Sequence, residues 1–219
     1  MKIPLASYGK TEILLSTVIL LAAAYFSYLI HPGLVIIPAL LLGFVFYFFR
    51  NPERVITPGD DLILSPADGT IIEIKYFPED QFVKTETVKV TIFLSVFNVH
   101  INRSPYEGKV AWIDYHKGEF LVASKPDAST RNECNNVGLV VGSGTSGFKI
   151  LVRQIAGIIA QRIVCGCKVN DVLAKGQVFG MIKFGSRTEI CIPKDKVKSV
   201  EIKLGDKVKA GQTIIARIR

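Results

Sequence analysis

Charge is missing from the first quarter of this chain. Between Ile13 and Phe49 there is no Asp, Glu, Lys or Arg, and apart from three tyrosines His31 is the one titratable group. Histidine (three), methionine (two) and tryptophan (one) are scarce throughout, and the four cysteines, Cys134, Cys165, Cys167 and Cys191, form no C-x-x-C. With neither C-x-x-C nor H-E-x-x-H spacing, zinc knuckles, thioredoxin-like redox motifs and zincin helices are excluded, and no metal is expected. Cys165-Gly166-Cys167 is a C-x-C, and the thiols read as small buried hydrophobes in a reducing compartment. No G-x-G-x-x-G, Walker loop or G-x-S-x-G elbow occurs in a strand-to-helix setting. With 49 % hydrophobic residues and a mean hydropathy of +0.34, the chain is too apolar for disorder.

The uncharged stretch consists of two apolar runs, 13–30 and 34–49, split by His31-Pro32-Gly33. Two runs argue against a cleaved signal peptide, which has one run of about 7–15 residues and a small-residue cleavage site. As helices the runs would span about 27 and 24 Å, against a hydrocarbon core of about 30 Å. Pro38 is expected to kink the second helix, and Phe44, Phe46, Tyr47, Phe48 and Phe49 to form an interfacial belt. Lys2 and Lys10 precede the runs while Arg50 and Arg54 follow them, so the positive-inside rule puts both ends in the cytoplasm. The expectation is a membrane-associated hairpin over 1–49, on the cytoplasmic face of the cell membrane, carrying a domain over 50–219. A helix pair buried in a soluble core is the alternative. After position 49 come 25 basic and 18 acidic residues, a balance suited to an anionic lipid surface. No aromatic–basic interleaving or RNA-binding signature points to nucleic acid.

Beyond a linker at 51–61 the pattern changes to short strands. Residues 62–65, 70–77, 88–95, 108–116, 137–143 and 148–157 are β-branched or alternating, with Gly, Pro, Asn or Asp clusters between most of them. Only 155–164 also fits a helix. VNDVLAKGQ (169–177) and LGDKVKAGQ (204–212) repeat at an offset of 35 residues, with Asp opening a turn and Gly-Gln closing it. Ser65-Pro66-Ala67-Asp68-Gly69 looks like the opening of a similar unit. The pattern resembles the hammerhead half-units of biotinyl and lipoyl carrier domains. It implies a mainly β fold, a flattened barrel or sandwich preceded by the hydrophobic helical hairpin. A non-catalytic hammerhead-type membrane adaptor or carrier is one reading, but neither repeat encloses a carrier-type lysine hairpin. The glycine-rich segment Gly142–Gly147 lacks the Lys-Ser/Thr ending of a P-loop and reads as a β-turn.

Between the repeats stands FGSRTEICIP (184–193). Together with RNPERV (50–55), LSPADGTI (64–71), FLSVFNVHINRSPYEG (93–108) and the apolar N-terminus, it makes nearly the whole chain resemble the phosphatidylserine decarboxylase family in its short bacterial and archaeal form. The resemblance implies an enzyme that cleaves itself between Gly185 and Ser186. The Ser186 hydroxyl attacks the Gly185 carbonyl, an N-to-O acyl shift gives an ester, and elimination releases the upstream chain. Loss of ammonia then leaves a covalent pyruvoyl group (pyruvate) derived from Ser186. Glycine at the scissile position lowers the steric cost of the strained backbone. A large chain (1–185) and a small chain (186–219) would remain together as a heterodimer, with any higher oligomer left open. The implied reaction turns membrane phosphatidylserine into phosphatidylethanolamine through a Schiff base with the pyruvoyl ketone, the electron sink that pyridoxal provides elsewhere, without a metal.

Other roles follow from the same resemblance. Asp68 matches an acidic position implicated in self-cleavage, a turn aspartate being the alternative. His100 matches the first of two family histidines and is the candidate general acid, a structural histidine on a strand edge being the alternative. The second histidine falls at Arg103, so the base that activates Ser186 stays unassigned. Arg103 and Arg187 are candidates for the substrate's carboxylate or phosphate, with solvated surface charge the equal alternative. Gly142-Ser143 is a second Gly-Ser pair and is set aside as a decoy.

Overall fold

No proline or glycine interrupts the residues from Lys10 to Ile30, and they form one helix, α1 (Lys10–Ile30). The computed structural model describes residues 4–123, 127–142, 147–157, 162–183 and 186–219. It divides into two compact units, Met1–Glu53 and Arg54–Arg219.

In the first unit His31-Pro32-Gly33 ends α1, and the His31 ring Nδ1 accepts a hydrogen bond from the Gly33 N–H at 3.1 Å. A short turn of 3₁₀ helix leads into α2 (Ile36–Phe48). Pro38 falls in the first turn of α2, where its missing N–H is not needed. Ser7–Ile30 is long and apolar enough to cross a membrane by length and composition, and α1 buries none of its residues. That does not fit a helix packed in a soluble core. The aromatic belt is only partly present: Phe46 and Tyr47 are exposed, whereas Phe48 and Phe49 are buried with their rings 5.0 Å apart.

The second unit is built from fourteen strands among the described residues. They are β1 (Leu62–Leu64), β2 (Gly69–Glu79), β3 (Thr85–Leu94), β4 (Ile101–Arg103), β5 (Gly108–His116), β6 (Cys134–Val141), β7 (Phe148–Ala156), β8 (Arg162–Cys165), β9 (Val172–Leu173), β10 (Val178–Lys183), β11 (Ser186–Pro193), β12 (Val197–Val200), β13 (Lys207–Val208) and β14 (Ile214–Ile218). One short helix, α3 (Ala128–Arg131), lies between β5 and β6. Eight strands form one curled sheet in the order β13-β2-β3-β11-β7-β6-β5-β9, a half-barrel. Two three-stranded sheets, β1-β14-β12 and β4-β10-β8, accompany it. The chain is thus mainly β, as the sequence leads one to expect. The one stretch that also fitted a helix does not become one where it is described: Ile155–Ala156 ends β7 and Arg162–Val164 opens β8, as β-branched residues favour. Residues 158–161 lie outside the described residues.

Alternation sets the two faces of the large sheet. Val88, Val90, Ile92 and Leu94 of β3 are buried in the core with Ile150 and Val152 of β7 and Ile190 and Ile192 of β11. Each contributes roughly 1.5–3 kcal/mol by leaving water.

The repeats become a pseudo-two-fold. In one half the Gly211 N–H donates to the Ser65 carbonyl and Ser65 donates to Thr213, while Ile71 and Gly205–Asp206 exchange two more bonds. In the other, Gly176 donates to Ser104 and Ser104 donates to Gln177, while Val110 and Asn170–Asp171 exchange the matching pair. Leu64 donates to Pro105 and Arg103 to Pro66, joining the halves. A second sequence repeat is thereby exposed: SPADG (65–69) and SPYEG (104–108), 39 residues apart. Gly176 and Gly211 occupy equivalent turns at φ 76° and 73°, and a Cβ on either would run into the Ile56 side chain. Glycine is required at both.

Candidate active site

Ser186 opens β11, level with Leu94 on β3 and Ala156 on β7. Its side chain shares the core-facing side with Thr188 and Ile190. The residue is fully buried, and its Oγ has no hydrogen-bond partner among the described residues. A buried hydroxyl without a partner forfeits about 1–3 kcal/mol, so such groups are rare and tend to mark sites where chemistry occurs. Gly185 lies outside the described residues, as does Ser143 of the decoy.

His100 is also fully buried, immediately before β4. Its Nδ1 is 3.0 Å from the Asn98 carbonyl oxygen. That contact assigns the proton of the neutral ring to Nδ1 and the lone pair to Nε2. The turn behind it is held by Ser95, whose N–H and Oγ both donate to Asn98 Oδ1, at 2.9 and 2.8 Å. The His100 carbonyl accepts from the Ile182 N–H at 3.1 Å, beside the end of β10 from which two residues lead to Ser186. Asn102 donates to Thr188 Oγ1 at 3.0 Å and accepts from Gln154 at 2.9 Å, and Gln154 accepts from Asn135 at 2.8 Å. This buried ladder ties β4 to the inner side of β11. Two residues upstream of Asn102 and Thr188 stand His100, just before β4, and Ser186, at the start of β11.

Asp68 sits elsewhere in the network. Its Oδ2 pairs with Arg54 at 2.7 Å and its Oδ1 accepts the Ala210 N–H at 2.8 Å, so both oxygens are engaged. Thr70 is level with Phe93, which places Gly69 on the row of Leu94 and Ser186, with Asp68 one residue beyond. Arg103 donates to the Gly176 carbonyl at 3.1 Å. Burial and the neighbouring Arg54 lower its pKa, against the pull of Asp68. Asp68, Arg54 and Arg103 therefore share one electrostatic neighbourhood at the pseudo-two-fold.

Arg187 projects from the opposite side of β11 to Ser186 and is 3 % exposed, so it is not a solvated surface charge. It donates to Ser129 Oγ at 2.6 Å, and burial lowers its pKa. Nothing brings Arg103 and Arg187 together.

Residues 41–216 match the sequence profile of the family described as phosphatidylserine decarboxylase. The chain belongs to the phosphatidylserine decarboxylase family. A phosphatidylserine decarboxylase proenzyme of Carboxydothermus hydrogenoformans is 46 % identical over 180 residues, 82 % of each chain. One from Symbiobacterium thermophilum is 43 % identical over 199 residues, 91 % of this chain and 90 % of the relative. One from Chlorobium luteolum is 37 % identical over 217 residues, 97 % of this chain and 99 % of the relative.

In this member of the phosphatidylserine decarboxylase family two features escape a reading of the sequence. Cys165 and Cys167 stand with their sulfurs 3.5 Å apart. A hydrogen bond from the Cys167 thiol draws Cys165 down to about 6, and the same bond with burial pushes Cys167 up. The other feature is a set of charges in strand interiors, Lys89, Arg153 and Glu189, on the outer side of the large sheet. Their signal was a single charge amid apolar residues, as in VKVTIFL, ILVRQIA and TEICI.

Proposed function

We propose that the chain decarboxylates phosphatidylserine to phosphatidylethanolamine with a pyruvoyl group made from its own Ser186 after cleavage between Gly185 and Ser186. The observation that carries this is the buried Ser186 Oγ, without a hydrogen-bond partner among the described residues, at the first residue of β11. Among the described residues no acceptor holds the hydroxyl elsewhere, and glycine precedes it, so addition to the preceding carbonyl forfeits no bond seen there. The site fits the group: a ketone between Leu94 and Ala156 leaves no donor stranded. When formed, a pyruvoyl group supplies an electron sink for the electrons left behind as carbon dioxide departs.

The remaining work falls to the chain's own side chains. His100, its Nδ1–H held by the Asn98 carbonyl, takes up a proton on Nε2 to become the imidazolium and, as general acid, returns that proton to the substrate's α-carbon. Asp68 serves self-cleavage by fixing, through Arg54 and the Ala210 amide, the row on which Ser186 stands. Arg103 is the ligand of the substrate's carboxylate or phosphate, whereas Arg187 faces away from Ser186 and can hold an anion only outside the reacting centre. After cleavage the 186–219 chain stays bound as a heterodimer, since β11 pairs with β3 and β7, β13 with β2, and β14 with β1. The apolar N-terminal helices anchor the enzyme to the cytoplasmic face of the cell membrane.

The test is the purified chain in detergent micelles containing phosphatidylserine. Carbon dioxide release with matching phosphatidylethanolamine is expected, and borohydride should abolish both. A cleaved, carbonyl-bearing protein that leaves phosphatidylserine untouched would refute the substrate. Liposome flotation tests the anchor: the whole chain should float, and a chain lacking residues 1–49 should stay largely in the soluble fraction.

A further inference from the structure

On the outer side of the eight-stranded sheet, charges gather that the proposed chemistry leaves unexplained. Lys75 of β2, Lys89 of β3, Arg153 of β7 and Arg187 of β11 surround two carboxylates, Glu73 and Glu189. Lys89 Nζ lies 3.1 Å from Glu73 and 3.7 Å from Glu189, Arg153 is 3.0 Å from Glu189, and Lys75 is 2.8 Å from Glu73. Arg187 is 3.8 Å from Glu189, beyond hydrogen bonding; its NH1 donates to Ser129 Oγ, which in turn donates to Glu189 at 2.6 Å. Burial raises the Glu73 carboxyl, but hydrogen bonds from Lys75 and Lys89 outweigh it and bring it down to about 2, so Glu73 is ionised and draws on the charge of Lys89.

Four cations thus face two carboxylates. Lys75 is nearly half exposed and screened by water, but Lys89 and Arg187 are each 3 % exposed and Arg153 is mostly covered, against the buried Glu189 and a one-third-exposed Glu73. Buried charge without compensation is costly, and the usual remedy is a counter-ion. Beside the cluster opens a cleft of about 290 Å³ lined by Lys75, Lys89, Ser129, Arg153 and Arg187, with the Glu73 carboxylate also on its wall. A second observation points to a ligand there. The Arg187 Nε–H is buried and has no acceptor among the described residues, although guanidinium groups in such places normally use their fork.

We infer that this cleft binds a phosphate-class oxyanion, either free inorganic phosphate or the phosphodiester of a lipid headgroup. Two guanidinium groups and two ammonium groups arriving from four neighbouring strands match a tetrahedral anion with several acceptor oxygens better than a planar carboxylate. The cleft lies on the side of β11 away from the Ser186 hydroxyl, so the anion would brace the strand next to the cleavage position without occupying that site. The inference deepens the reading of Arg187 as an anion ligand and needs neither cleavage nor decarboxylation.

The test is calorimetric titration of the full-length chain, and of its Ser186→Ala form, with inorganic phosphate and with glycerophosphoethanolamine in chloride buffer. Saturable binding of phosphate alone supports a free-anion site; binding of the phosphodiester as well supports a headgroup site. Lys89→Met should weaken the interaction at least about tenfold. Glu73→Gln, which removes a partly exposed carboxylate, should tighten it several-fold, and this decides the matter if the buried Lys89→Met chain fails to fold. No saturable binding of either compound, or Glu73→Gln binding no more tightly than the parent, would overturn the inference. A failure of decarboxylation would leave the titration of the Ser186→Ala chain unaffected.

Discussion

Along β11 the two sides of one strand do different physical work. The inward residues Ser186, Thr188, Ile190 and Ile192 are uncharged, and the first carries a hydroxyl with no hydrogen-bond partner among the described residues. The outward residues Arg187, Glu189 and Cys191 sit among charges, with Glu189 fully buried between Lys89 and Arg153 and the Cys191 thiol pushed up by burial to about 12. Position 186 can be chemically rebuilt without stranding a partner. Position 189 cannot lose its charge without leaving Arg153 without its carboxylate and Lys89 with Glu73 alone. Reactivity sits where interactions are missing, and rigidity where they are dense.

The sharpest way to break the contrast is at the inner side. Ser186→Ala should abolish cleavage and decarboxylation completely while leaving the denaturation midpoint near that of the uncleaved parent. A large loss of stability would mean that the hydroxyl holds the fold after all. Next, His100→Ala should cleave but lose about 10²–10⁴-fold in decarboxylation rate, as removal of a general acid does; an unchanged rate in a fully cleaved variant would remove His100 from the mechanism. On the outer side, Glu189→Ala should cost about 3–5 kcal/mol by urea denaturation, because it takes the carboxylate from Arg153 and leaves Lys89 with Glu73 alone. A shift under about 1 kcal/mol would show those ions to be idle.

The smallest effect concerns acid. Glu73 is held at about 2 in the folded state against an ordinary 4.5. Its contribution to stability is therefore fully present above pH 4.5 and is lost as pH falls towards 2. Urea midpoints measured from pH 5 to pH 2 should fall less steeply in Glu73→Gln than in the parent. Parallel curves would contradict the pairing with Lys75 and Lys89.

What the sequence made legible was local or repeated. The helix break at His31-Pro32-Gly33 and the turns at 169–177 and 204–212 are encoded by neighbouring residues, and the strands at 108–116 and 148–156 by their alternation. The second repeat was harder, because SPADG and SPYEG differ at both the third residue and the acid. The difference is informative: Asp68 is buried against Arg54, while its counterpart Glu107 is exposed. Pro38 depends on the helix boundary for its meaning, because a proline in a first turn does the opposite of one in mid-helix. Ser186 and His100 were found through motifs in order along the chain. The cluster of Lys75, Lys89, Arg153, Arg187 and Glu189 was not, because it exists only through the registers of β2, β3, β11 and β7, residues up to 114 positions apart in sequence.

The central claim, that Ser186 is consumed to make the reactive group, is tested most directly by the intact mass of the purified unmutated protein. The account predicts two polypeptides, residues 1–185 and a 34-residue chain 186–219. The small chain should resist Edman degradation and gain mass with hydroxylamine. A single active chain of 24.1 kDa, or a cut after Gly142, would contradict it.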